Sequence, residues 1–251
     1  MKILLFLLLP VVYSAIDSNT QDLNSLEPNR GRRRDDHLPE GYDRRLRPFH
    51  GGRPLKVYAS IHVETGYWER HRLTTVLYLR SVWHDERLAY SSLGQADVIL
   101  GPDYVNSIWT PDLFVPNSIE VEKFPDEAML KISPEGTVLK SERLRLVTPC
   151  KSNVARLSET NPHHTNCSII FESFRYTTDD MNVGWKDRLT AVTTSEDQNM
   201  KVHRVTWDES TIRLTTASYG RLNLYLDVET QPLYKLETCI HECFEGVRQV
   251  M

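Results

Sequence analysis

Beyond residue 15 the 251-residue sequence contains no run long and apolar enough to cross a bilayer. It has no surplus of positive charge either. Thirty Lys and Arg stand against 34 Asp and Glu, a formal net charge of −4, so neither nucleic acid nor an acidic membrane surface is indicated as a partner. The common signatures of catalysis are missing: there is no G-x-S-x-G, H-E-x-x-H, P-loop or G-x-G-x-x-G. An enzyme therefore has no support, and no cofactor is implied. Gly and Pro occur at ordinary counts, 11 and 13, and nothing recurs at solenoid or propeller periods.

The ends carry export signals and polar tails. Residues 1–15 read MKILLFLLLPVVYSA, one Lys before an apolar run that closes on Ser14 and Ala15. The run is shorter than the ~20 residues of a membrane helix, so it predicts a secretory signal peptide rather than an anchor. Cleavage after Ser14 puts Val12 at the −3 position; cleavage after Ala15 puts the bulkier Tyr13 there. Residues 16–38 form a polar leader whose basic cluster, Arg30 to Arg34, is followed at once by Asp35 and Asp36 with no interleaved aromatic. A solvated tail accounts for it better than a heparin or nucleic-acid patch. The last stretch carries Glu242, Glu245 and Arg248, too charged for a span, and is read as a short tail over 241–251. The expected location is secreted or extracellular, where the four cysteines, Cys150, Cys167, Cys239 and Cys243, are free to oxidise. Asn166-Cys167-Ser168 is the sole glycosylation sequon; Asn166 is a weak acceptor if Cys167 is bridged early.

From Leu55 onward the hydrophobic period is two. Leu73, Thr75, Leu77 and Leu79 share one face, and Thr74, Val76, Tyr78 and Arg80 the other, which predicts a strand with one buried side. Met129 to Ile132, the turn Ser133-Pro134-Glu135-Gly136 and the stretch from Thr137 to Thr148 read as a hairpin. Ser168 to Phe174 and Gly220 to Leu226 read as further strands. The fold class expected is mostly β, an immunoglobulin-like sandwich, with a short N-terminal helix near residues 38–42. His163-His164 is assigned to a loop with no third ligand nearby, and Cys239-x-His241-x-Cys243 matches no common zinc spacing, so no metal site is expected.

Four segments resemble one family. Tyr42-Asp43-Arg44-Arg45-Leu46-Arg47-Pro48 with Gly51-Gly52 is similar to the N-terminal entry of Cys-loop receptors, the pentameric neurotransmitter-gated ion channels. The run from Tyr78 through Trp83-His84-Asp85 to Tyr90 resembles that family's W-x-D segment. Ile108-Trp109-Thr110-Pro111-Asp112-Leu113-Phe114-Val115-Pro116-Asn117 resembles its loop A, and Glu172-Ser173-Phe174-Arg175-Tyr176-Thr177-Thr178-Asp179-Asp180 its loop B. The segments come in the family's order, and the match covers roughly residues 38 to 240, nearest to the anion-channel branch of GABA, glycine and invertebrate glutamate receptors. A ligand-binding domain over 39–240 is implied. Trp83 and Asp85 mark the fold rather than the site; both can face inward, and a buried Asp needs a partner, for which Arg87 is a candidate.

The resemblance also implies a site between two subunits. One face offers Phe114, Phe174 and Tyr219, with Thr216 three residues before Tyr219, as rings for a cation and Glu172 as a counter-charge. The other offers Arg80, matching the arginine that holds a ligand carboxylate in the anion-channel branch. Tyr78 lies on the same strand face as Arg80. Ser141 matches the hydroxyl of loop E, and Lys131 sits where relatives often carry a second basic residue. The bland alternatives are core packing for Phe114 and a surface salt bridge for Arg80. The implied ligand is a small amino-acid or amine transmitter, and the implied assembly a homo-pentamer or a hetero-pentamer with channel subunits. A Cys150–Cys167 disulfide is likewise implied.

The sequence departs from the family in several places. Sixteen residues separate Cys150 from Cys167 where the family has thirteen. The family's aromatic-Pro-x-Asp is replaced by Asn161-Pro162-His163-His164, and the turn between Glu64 and Arg72 is shorter. Arg175 replaces the usual Gly beside the loop B aromatic and puts a long cation next to the pocket. These changes favour a natural soluble relative over a fragment of a channel subunit. A secreted interaction protein that kept the fold but lost small-molecule binding, and a truncated non-conducting channel fragment, stay open as alternatives.

Overall fold

The computed structural model describes residues 38–69, 72–90, 96–151, 163–195 and 200–230. Its strands are β1 (Leu55–Glu69), β2 (Arg72–His84), β3 (Val98–Leu100), β4 (Leu113–Phe114), β5 (Glu120–Lys123), β6 (Met129–Ile132), β7 (Thr137–Lys151), β8 (His163–Ser173), β9 (Met181–Trp185), β10 (Val192–Thr194), β11 (Lys201–Arg213) and β12 (Ser218–Thr230). The main path runs β10-β1-β2-β7-β8-β12-β11. β7 is the strand that passes from one sheet to the other. It pairs with β2 from Thr137 to Pro149, and then Cys150 and Lys151 pair with Cys167 and Asn166 of β8. The expected disulfide closes there between Cys150 and Cys167, and the fold is mostly β as expected.

Alternation sets the core. In β2, Leu73, Thr75, Leu77 and Leu79 turn inward and are all buried. They meet Leu144 and Leu146 of β7, Ile169 and Phe171 of β8, and Leu222, Leu224 and Leu226 of β12. Each such leucine contributes about 1.5–3 kcal/mol on burial. A second cluster at the other end of the sandwich gathers Leu55, Trp83, Trp109, Leu130, Val138 and Met181. Trp83 meets Trp109 edge-on at 5.9 Å, and the Trp109 indole N–H donates to the Tyr176 hydroxyl at 2.9 Å.

The W-x-D segment pins the entry of the chain to this cluster. Asp85 is fully buried, 0% exposed. It accepts from Arg87 Nε and Nη2, both at 2.8 Å, and from the Tyr42 hydroxyl at 2.9 Å. Arg87 is thus the partner anticipated for Asp85, and Tyr42 is a second one. The Tyr42 oxygen in turn accepts from Trp109 N at 3.1 Å. Burial, aided by the Asp85 charge, pushes the Tyr42 phenol far above its ordinary range, so it remains a donor. Arg47, 4% exposed, reaches Asp180 at 3.0 Å and fastens the same segment to the end of loop B.

The hairpin of β6 and β7 turns at Gly136, whose φ is +85°. A Cβ there would stand 2.5 Å from the Asp85 carbonyl oxygen, so both conformation and space require glycine. Two expectations change. Residues 38–42 form a turn, closed by Tyr42 N to Pro39 O at 3.1 Å, with Gly41 at φ +79° ending any helical continuation. His163 and His164 lie in β8, paired with Thr230 and Glu229, because the ladder with β12 extends to the end of that strand. The signal peptide, most of the leader, Asn161, Pro162, Cys239, Cys243 and the C-terminal tail lie outside the described residues. Among the described residues, no helix is long and apolar enough to cross a membrane.

Candidate ligand-binding site

The sequence-predicted residues fall into two groups on different sheets. The first lies on the outer face of β1, β2, β6 and β7. Arg80 of β2 stands directly opposite Ser141 of β7, and Ser141 opposite Met129 of β6. Tyr78, two residues before Arg80, is opposite Arg143 and stacks near His62 of β1 at 6.4 Å. Lys131 shares this face, two residues beyond Met129, and is opposite Leu139.

The charges on this face are unequal in their freedom. Arg143 is held by Glu64 at 2.8 Å and Glu127 at 3.1 Å. Lys131 is held by Asp97 at 2.6 Å. Arg80 is exposed and has no carboxylate partner among the described residues. The Ser141 hydroxyl across from it also has no partner there. The surface-salt-bridge account of Arg80 therefore has no acid to support it among those residues.

The second group lies on the outer face of β4, β8 and β12. β4 pairs with β8 so that Phe114 is opposite Glu172. This places the Phe114 ring edge-on to Phe174 at 5.5 Å, an 88° crossing typical of aromatic pairs. Phe174 is 69% exposed, an unusual state for a large ring, while Phe114 is half-buried. Tyr219 opens β12 opposite Ile212, and Thr216 is exposed at the β11–β12 turn.

Glu172 is only 6% exposed and is opposite Arg221 on β12, whose Nε approaches its carboxylate at 2.5 Å. A carboxylate this deep needs such a partner, so its charge is matched within the chain. Arg221 was not singled out from the sequence. The signal was the β12 alternation, which places Tyr219, Arg221 and Asn223 on one face. Arg175 does not extend over the Phe174 ring pair as a free cation. Its Nε reaches Asp112 at 3.0 Å, its own N–H donates to the same carboxylate at 2.8 Å, and Ser173 Oγ donates to the other oxygen at 2.9 Å. Asp112 thus anchors the loop B backbone to loop A. Asn166 is exposed on β8. Among the described residues no cluster of three or more His, Cys, Asp or Glu is placed to hold a metal.

The β-sandwich thus carries the Phe114–Phe174 pair on one sheet and, on the other, an arginine with no acid partner among the described residues. Comparison with known proteins makes the class specific. The sequence profile of the neurotransmitter-gated ion-channel ligand binding domain matches residues 32–231, and the chain belongs to that family. It is 31% identical over 200 residues to the gamma-aminobutyric acid receptor subunit beta-4 of Gallus gallus, covering 75% of this chain and 40% of the relative. It is 30% identical over 191 residues to subunit rho-2 of Homo sapiens, with 72% and 40% covered. Subunit rho-1 of Homo sapiens is 31% identical over 194 residues, with 73% and 40% covered. The chain thus spans about two fifths of the length of these relatives. They are receptor subunits, and the chain is a ligand-binding domain rather than an enzyme.

Proposed function

We propose that the chain binds a small amino-acid transmitter at the junction between two subunits, either copies of itself or a copy and a related channel subunit. Arg80 and Ser141 of one subunit take the carboxylate. Phe114, Phe174 and Tyr219 of the next surround the ammonium, with Thr216 on the turn above. Tyr78 walls the carboxylate side, while Lys131 is matched by Asp97 and leaves the ligand carboxylate to Arg80. Because Glu172 is matched by Arg221, the ammonium depends mainly on ring faces, each worth about 0.5–2 kcal/mol.

The observation that carries this reading is an Arg80 guanidinium and, on the neighbouring strand, a Ser141 hydroxyl, both without a partner among the described residues, on a face where Arg143 and Lys131 are paired with acids. The two groups lie on different sheets, so one copy does not assemble the pocket alone. The resemblance to receptors named for gamma-aminobutyric acid supports a transmitter bearing both a carboxylate and an amine.

The test is calorimetric titration of the purified protein with GABA, glycine, β-alanine and glutamate, with histamine as a carboxylate-free control. Arg80→Ala should weaken amino-acid binding by about 2–5 kcal/mol, the usual cost of truncating one partner of a desolvated charge pair. Arg80→Lys should also weaken it, since the charge stays but the planar fork is lost. Equal affinity of wild type and Arg80→Ala would refute the carboxylate assignment.

A further inference from the structure

A cavity of about 400 Å³ opens between the segment that precedes β1 and the ends of β1 and β2. Its apolar walls include Phe49, Tyr58 and Val82, and its basic groups are Arg53, Lys56 and His84. No carboxylate lines it, and none pairs with these three groups among the described residues. Trp83 lines it too, from the core side. The cavity therefore offers apolar surface and donors but no anion of its own.

The backbone beside it is built to hold this shape. Phe49 has φ +57°, the only non-glycine residue in the left-handed region among those described. That conformation is costly for an aromatic residue and persists where its surroundings impose it. The Phe49 carbonyl accepts from the buried Arg47 at 2.9 Å and from Gly52 N at 2.9 Å. The result is a ring that meets the Arg53 guanidinium at 4.4 Å and lies 6.3 Å from His84, stacked at 23°.

We infer that this cavity is a second ligand site, distinct from the Arg80 site, and that it takes an amphipathic organic monoanion such as an aryl carboxylate or sulfonate. The ring system packs on Phe49, Tyr58 and Val82. The anionic head meets Arg53 and Lys56, with His84 beside it. A volume of this size suits a small-molecule site, and unpaired cations at an apolar rim favour an anion over a neutral solute. The site shares its strands with the transmitter face. Tyr58 is opposite Val82, and Val82 is two residues from Arg80 on the same side of β2, so an occupant touches the strands that carry the carboxylate group.

The probe is naphthalene sulfonate, titrated calorimetrically into the wild-type full chain beside the neutral naphthalene methanol. The sulfonate should bind at least about tenfold more tightly than the alcohol, and more weakly as salt rises. Arg53→Gln and Lys56→Gln should each weaken the sulfonate by about tenfold or more, the loss of one charge-assisted hydrogen bond. Phe49→Gly relieves the left-handed backbone while removing the ring, so it should fold normally and lose affinity. Arg80→Ala should leave sulfonate affinity unchanged. The inference is overturned if sulfonate and alcohol bind equally, if wild type shows no saturable binding at millimolar probe, or if the two glutamine variants bind as wild type does. Loss of binding in Arg80→Ala would also overturn it, by placing the probe in the transmitter site.

Discussion

Replacing Asp85 by Ala should destabilise the domain more than any single change on its ligand faces. The carboxylate is fully buried and takes two bonds from Arg87 at 2.8 Å and one from Tyr42 at 2.9 Å. Breaking a buried pair by removing one partner costs about 3–5 kcal/mol. The Arg87 side chain is 29% exposed, so water recovers part of that loss, and the expected cost is about 2–4 kcal/mol. Asp85→Asn keeps the shape and one acceptor and should cost about 1–2 kcal/mol. Tyr42→Phe leaves Trp109 N without its acceptor and should cost about 1–3 kcal/mol. Apolar substitution of both members, Asp85→Leu with Arg87→Met, should cost less than Asp85→Ala alone, since no charge is then stranded. Urea unfolding followed by tryptophan fluorescence measures all four, with the slope of free energy against urea checked for constancy. A cost below about 1 kcal/mol for Asp85→Ala would refute the claim that this carboxylate holds the entry segment in place.

Other consequences are as specific. Cys150→Ser should lower stability by about 3 kcal/mol under non-reducing conditions and by little under reducing ones, the expected loss for a closed loop of this length. Arg175→Gly should change stability by less than about 1 kcal/mol, because the Arg175 side chain is 63% exposed and Asp112 keeps its bonds from Ser173 Oγ and the residue 175 backbone N–H; a rise in amino-acid affinity of about tenfold or more would show that the guanidinium obstructs the pocket. Asp43 should titrate at about 2, chiefly through its hydrogen bonds from Arg45. Its folded value is depressed, so its contribution is present above the ordinary carboxylate range and is lost as pH falls toward about 2. Carboxyl NMR finding a midpoint near ~3.9 would refute that pairing.

The β2 strand shows what the sequence made legible and why. Its inward face, Leu73, Thr75, Leu77 and Leu79, is apolar but for one Thr, so the buried side could be read from period two alone. The Arg87 partner of Asp85 was also within reach, since it lies two residues away. Links over long separations were not. Tyr42 reaches Asp85 across 43 residues, and Arg47 reaches Asp180 across 133. Nothing local distinguishes either from an ordinary polar side chain. β7 shows a different failure of pattern. Lys140 and Glu142 occupy inward positions where alternation alone would place apolar residues, and they pair with each other at 3.0 Å. At the candidate site, motif spacing identified Arg80, Ser141, Phe114 and Phe174 as worth examining. The ion-pair partners of the neighbouring charges, Arg221 for Glu172 and Asp112 for Arg175, emerge only when strands and loops distant in sequence are laid side by side.

The separation of the two groups onto different sheets has a genetic meaning. If each pocket takes one face from each of two neighbours, a copy damaged on one face is not a null copy. An Arg80→Ala chain still offers intact rings, and a Phe174→Ala chain still offers an intact arginine. Alone, each makes only defective pockets. Co-expressed, they form some junctions in which both contributed faces are wild type. Complementation between two individually inactive alleles is thus expected, and two alleles altered on the same face should not complement.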